Sequence, residues 1–225
     1  LGFAACCAPG QDQREGKVVV IEHADSLVGM TVEGQQVRQL VGNVRIRQGR
    51  VRLSCERALQ FLQRGDVELT GDVLVVDSNL TMRAPRAVFY REARRAEGFD
   101  DVRLDDGRVR VTARYGEYLI GPRRAYFRER VTVQDPQSFM ESDTLVYDSD
   151  AKSSVATGDV RITLPADRTV IRGGRVEHRS APSYTRVTLD PLLLQTERSP
   201  SGVTDTLAVR SRLMEAHRDS ARLFV

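Results

Sequence analysis

Apolar and polar residues alternate along this chain in a phase that returns at a fixed interval. Val44, Val73, Val102, Val131 and Val160 mark one position of the pattern, and Ile46, Val75, Leu104, Val133 and Ile162 stand two residues further on. Between them lie Arg45, Leu74, Arg103, Thr132 and Arg161, mostly polar. An apolar/polar/apolar triplet reads as a β-strand with one buried face, and a regular period of about 29 residues reads as a repeat protein. A single unit of this kind cannot close its own core. Neighbours must stack, and their inward residues then line one continuous interior.

A second apolar column follows the first: Leu53, Met82, Val111 and Met140. Beside it runs a column of small residues, Cys55, Ala84, Ala113 and Ser142. Each ladder valine is preceded by Gly42-Asn43, Gly71-Asp72, Asp100-Asp101, Glu129-Arg130 or Gly158-Asp159. Gly followed by Asn or Asp is turn chemistry, because both tolerate positive φ. The unit therefore reads as strand, tight turn, second longer strand, turn, with Gln48-Gly49 and Asp105-Asp106-Gly107 as inner turns. Strand alternation places all fourteen column residues (Val44, Ile46, Leu53, Val73, Val75, Met82, Val102, Leu104, Val111, Val131, Val133, Met140, Val160 and Ile162) inward, and Arg45, Arg103 and Arg161 outward.

The C-terminal quarter is less regular. Gly173-Gly174, Ala181-Pro182 and Asp190-Pro191 read as strand breaks, Val187–Leu189 and Leu192–Thr196 as short strands, and 198–202 as an exposed loop. Residues 206–219 fit a further half-repeat better than a helix.

Composition narrows the function. The 225 residues share one register, which favours one elongated domain over 11–225, regular over about 17–179 and irregular over 180–225. A net charge of +3 argues against a nucleic-acid partner. Of the 34 basic residues only Lys17 and Lys152 are lysine. Codon bias accounts for that excess of arginine; pairing of outward arginines (45, 47, 103, 110, 161) with phosphate or carboxylate is the functional alternative.

Residues 1–10 read as the remnant of a secretory signal. Phe3-Ala4-Ala5-Cys6 resembles a lipoprotein box, which would lipidate Cys6, and simple cleavage after Ala8 is the other route. Cys55, in the small-residue column, reads as a buried hydrophobe rather than a reactive thiol. His23, His178 and His217 are scattered, and no nucleophile, metal or phosphate-binding motif is present. The expectation is a protein that is not an enzyme and uses no cofactor or metal.

The phased motifs carry a family resemblance. Leu40-Val41-Gly42-Asn43-Val44-Arg45-Ile46, Thr70-Gly71-Asp72-Val73, Ser142-Asp143-Thr144-Leu145-Val146-Tyr147-Asp148 and Ala156-Thr157-Gly158-Asp159-Val160 resemble the units of the OstA-like, or LptA, family. Ala24-Asp25-Ser26-Leu27 matches the second half-motif again, and Asp100-Asp101 with Arg114–Glu117 departs most from it. The resemblance implies an all-β fold, an elongated and slightly twisted antiparallel β-jellyroll. It implies a periplasmic bridge that carries lipopolysaccharide from the inner to the outer membrane, with the fourteen inward residues against its acyl chains. It also implies end-to-end β-augmentation with other jellyrolls of the route, or head-to-tail self-association. Two alternatives stay open: a structural β-repeat such as an adhesin stalk with a filled core, and the jellyroll of another component of the same route.

Overall fold

The computed structural model describes residues 19–77, 80–180, 183–198 and 204–217. The expectations for residues 1–10, Cys6 and Ala8, for Ala181-Pro182 and for the 199–202 part of the loop lie outside them. The described residues form a single antiparallel sheet of sixteen strands. They are β1 (Val19–His23), β2 (Ser26–Val32), β3 (Gln35–Gln48), β4 (Val51–Phe61), β5 (Val67–Asp77), β6 (Leu80–Tyr90), β7 (Arg95–Asp105), β8 (Arg110–Leu119), β9 (Arg124–Gln134), β10 (Phe139–Asp148), β11 (Ser153–Leu164), β12 (Thr169–Ser180), β13 (Ser183–Thr188), β14 (Leu192–Arg198), β15 (Thr204–Arg210) and β16 (Leu213–His217). From β3 to β12 each strand spans the width of the sheet and pairs with the next.

The terminal passes are split. β1 and β2 pair with opposite halves of β3. At the other end β13 and β14 share β12, with β16 on β13 and β15 on β14. Thr206–Arg210 and Leu213–His217 are therefore strand, not helix, with Ser211-Arg212 as a break between them. Gly173-Gly174, expected as a break, lies inside β12, whereas Asp190-Pro191 does separate two strands.

The Gly-Asn and Gly-Asp dipeptides are not chain reversals. They sit in mid-strand as bulges, and the pairing register slips at every one, for example between Val41 and Val44 and between Thr157 and Val160. Both residues of each dipeptide are left-handed: Gly42 at φ 77° and Asn43 at 48°, Gly158 at 79° and Asp159 at 39°. Asp100-Asp101 (65° and 93°) and Glu129-Arg130 (65° and 55°) adopt the same geometry without glycine. Two consecutive left-handed residues bend a strand sharply, while ladder bonding on either side keeps it in the sheet. The reversals come instead at 49–50, 106–109, 135–138 and 165–168 on one side, and at 62–66, 91–94, 120–123 and 149–152 on the other.

The bend doubles the sheet over. In a straight strand, residues four apart are separated by about 13 Å. Yet the Val102 methyls lie 3.0 and 3.4 Å from where a Cβ on Gly98 would stand, and 3.0 Å from one on Gly116. The bulges thus form a fold line, with a half-sheet on each side and the turns at the two free margins.

Candidate functional site: an apolar ladder inside the folded sheet

Three cross-strand rows build the interior. Along the fold line, Val44, Val73, Val102, Val131 and Val160 are 0–1% exposed, and Cys55, Ala84, Ala113 and Ser142 stand among them. Each valine faces one of the small residues or, at Val160, Gly173. This alternation of branched and small side chains lets the folded sheet close tightly. On the half-sheet that precedes the bulge, a second buried row runs Leu40, Ala58, Leu69, Ala87, Gly98, Gly116, Phe127, Leu145, Ala156, Val176, Val187 and Met214. These two rows form closed core.

The third row differs. Ile46 pairs with Leu53, and the register continues through Val75, Met82, Leu104, Val111, Val133, Met140 and Ile162. It extends to Ile21 at one end and to Ile171, Leu193 and Val209 at the other. Every rung is apolar. At a strand spacing of about 4.8 Å the ladder is about 60 Å long. Only Val111 and Leu193 are buried, each 8% exposed; the other rungs keep more of their surface accessible. Arg45, Arg103 and Arg161 alternate with the rungs and are exposed.

The sequence-derived columns thus divide in two. The five valines belong to closed core, whereas Ile46, Leu53, Val75, Met82, Leu104, Val111, Val133, Met140 and Ile162 line one accessible strip. The sequence reading missed Ile21, Ile171, Leu193 and Val209. Counting 29 on from Met140 arrives at Thr169 rather than Ile171, because the paired rungs are seven residues apart across the β9–β10 turn (Val133 and Met140) and nine apart across the β11–β12 turn (Ile162 and Ile171). Val19–Ile21, Val170-Ile171 and Leu192–Leu194 are continuous apolar runs, so alternation alone does not single out the rung within them.

Towards the free margin the opposite half-sheet offers Phe89, Tyr118 and Tyr147, and then turns polar at Ser154, His178 and Thr185. His178 Nδ1 and Thr185 Oγ1 lie 3.0 Å apart. Burial holds the His178 imidazole below its ordinary pKa, and the charge of Asp135 opposes that shift. Asp135 belongs to the β9–β10 turn of the ladder half. Asp135 itself accepts from Gln137 N and Ser138 N at 2.7 Å each, and from Ser138 Oγ at 2.7 Å. Cys55 points into the closed core, and desolvation there pushes its thiol up to about 11.

A doubled antiparallel sheet with a long, partly accessible apolar row is a β-jellyroll. Residues 65–157 match the family model described as OstA-like protein. No curated protein matches the chain. Among solved structures it is similar to LptH, described as the LptA-homologous periplasmic component of the conserved lipopolysaccharide transport device from Pseudomonas aeruginosa. That likeness has 16% identity and a TM-score of 0.26, over 60% of this chain and 78% of that one.

Proposed function

We propose that this chain is a non-enzymatic lipopolysaccharide carrier of the periplasm, holding acyl chains against the ladder while the sugar head stays in water at the free margins. The observation that carries the reading is the unbroken apolar row from Ile21 to Val209, accessible along most of its length. Each buried methylene contributes about 0.8 kcal/mol, so several long acyl chains call for an extended strip rather than a compact pocket. The closed valine row would serve as the floor of the groove and the ladder as its wall. The OstA-like match over 65–157 and the phased motifs support the same assignment.

A bridge also needs continuity between jellyrolls. Among the described residues, β1 and β2 pair only with β3, and β15 and β16 only with β14 and β13. Both terminal passes therefore offer backbone groups for strand addition. The β1–β2 edge is apolar as well as open, with Val19, Ile21, Leu27 and Val28 all more than 40% exposed. Stacking of another jellyroll, or of a second copy, on these edges would join the ladders into one path.

A photocrosslinking residue at 133, in cells making lipopolysaccharide, tests the reading. Crosslinks to lipopolysaccharide from 133 and none from 103 are the expected result. Equal labelling at both positions, or none at either, contradicts it.

A further inference from the structure

The two outer faces of the doubled sheet carry different charge patterns. On the half without the ladder, Glu68, Glu97, Glu117, Glu177 and Glu215 share one outward cross-strand row. Arginines beside or within that row are neutralised by it. Arg95 lies 3.2 Å from Glu97 and 3.4 Å from Glu117, Arg175 is 2.8 Å from Glu177, and Arg186 is 3.6 Å from Glu215.

The outer face of the ladder half is the reverse. Its row contains Arg45, Arg83, Arg103, Arg161, Arg172 and Arg210 against a single acid, Glu141. Arg83 stands directly opposite Arg103, and Arg161 directly opposite Arg172. Like charges facing each other across a strand pair destabilise a sheet. Arg103 is relieved by Asp101 at 2.9 Å, whereas among the described residues no acid forms an ion pair with Arg83, Arg161 or Arg172. Aliphatic side chains stand outward among these arginines: Leu74 and Val76 towards one end, Leu192 and Leu194 towards the other.

We propose that this arginine-bearing outer face docks on an anionic phospholipid surface. Guanidinium groups interleaved with aliphatic side chains are an interfacial composition, and a bilayer meets a long row of such groups without needing a particular register. A nucleic acid fits less well. It calls for a stronger overall field than a net charge of +3 gives, and single strands call for stacking aromatics on the same face. The acidic fold-line residues Asp72, Asp100, Asp101 and Asp159 border the row on one side, and on the turn side Asp77 and Asp105 are paired with Arg50 and Arg110. This docking does not depend on what the groove carries.

Co-sedimentation of the purified chain with vesicles tests it, comparing phosphatidylcholine alone with a phosphatidylcholine–phosphatidylglycerol mixture at low salt. The chain should prefer the anionic vesicles by about tenfold or more, and about 0.5 M salt should abolish the preference. R83Q/R103Q and R161Q/R172Q should each weaken binding several-fold, with native circular dichroism. R124Q on the opposite outer face, where Arg124 is paired with Asp148 at 2.8 Å, should bind like the parent. No preference for anionic lipid overturns the proposal, as does binding that survives both double substitutions. Retention on an acidic polypeptide or on DNA with no uptake by vesicles overturns it in favour of a macromolecular partner.

Discussion

Gly158 and Asp143 occupy complementary space across the β10–β11 pair. A Cβ at Gly158 would stand 2.7 Å from the Asp143 Cβ and Cγ. The same relation joins Gly71 to Glu56, where the side-chain atoms would lie 2.6 Å away, and Gly42 to Asp25. Asp25 also donates its backbone N–H to the Gly42 carbonyl at 3.0 Å and accepts from Asn43 Nδ2 at 3.2 Å. Where the bulge residue carries a Cβ, as at Asp100 and Glu129, the register places Pro85 and Arg114 opposite instead. Glycine in the bulge and an acid beside it therefore go together, and the fold line is built from such pairs.

Substituting Gly158→Ala should destabilise the domain by about 2 kcal/mol or more, because it adds a left-handed non-glycine residue and a steric clash. Combining it with Asp143→Gly, which removes both the Cβ and the Cγ that the new methyl meets, should relieve the clash and leave a deficit of about 1–2 kcal/mol. Gly107, at φ 87° with open space around its missing Cβ, should lose only that last amount on mutation to Ala. Denaturant midpoints of the three variants and the parent check this.

The closed row and the outer face should respond differently to truncation. Val102→Ala removes methyls packed on Gly98 and Gly116 and should cost about 1–2.5 kcal/mol. Arg103→Ala, on the exposed face, should stay within about 0.5 kcal/mol of the parent. Equal losses would place the register one residue out.

Cys55 should resist alkylation in the folded protein at mildly alkaline pH and react on unfolding, read by mass spectrometry of the peptide that contains it. Its folded pKa is raised from 9.0 to about 11. The unfolded thiol therefore ionises first as pH rises. The contribution of this group to stability is complete below about 9 and is lost as pH climbs through about 11. Stability that rose between those values would contradict its burial.

The open terminal passes predict concentration-dependent, end-to-end association. Light scattering should report a rising mass with concentration, and Val28→Lys on the exposed β2 edge should suppress it. A strict monomer at high concentration would contradict self-assembly through these edges.

Much of this was legible in the sequence, for a physical reason. A two-residue strand period carried on a fixed repeat places Val44, Ile46 and their equivalents on one face, and no tertiary contact is needed to see it. Two things were not legible. Gly42-Asn43 has the composition of a turn, and only its place in the ladder makes it a mid-strand bend. Val131 and Val133 have the same side chain and the same facing, yet one is sealed at the fold line and the other lies beyond it. That difference is set by where the sheet doubles over, which sequence periodicity does not encode.

The pair Val131 and Val133 gives the most direct test of a closed floor beneath an accessible wall. Val131→Glu buries an unpaired carboxylate in closed core, at a cost of several kcal/mol, and should unfold or aggregate. Val133→Glu and Ile46→Glu should keep the circular dichroism of the parent, because these half-buried rungs let a carboxylate reach water, while losing lipopolysaccharide crosslinking from neighbouring ladder positions. Arg103→Ala should keep both. If Val133→Glu and Ile46→Glu unfold together with Val131→Glu, the interior is filled and the protein is a structural repeat. If they fold and crosslink normally, the lipid path does not run along the ladder.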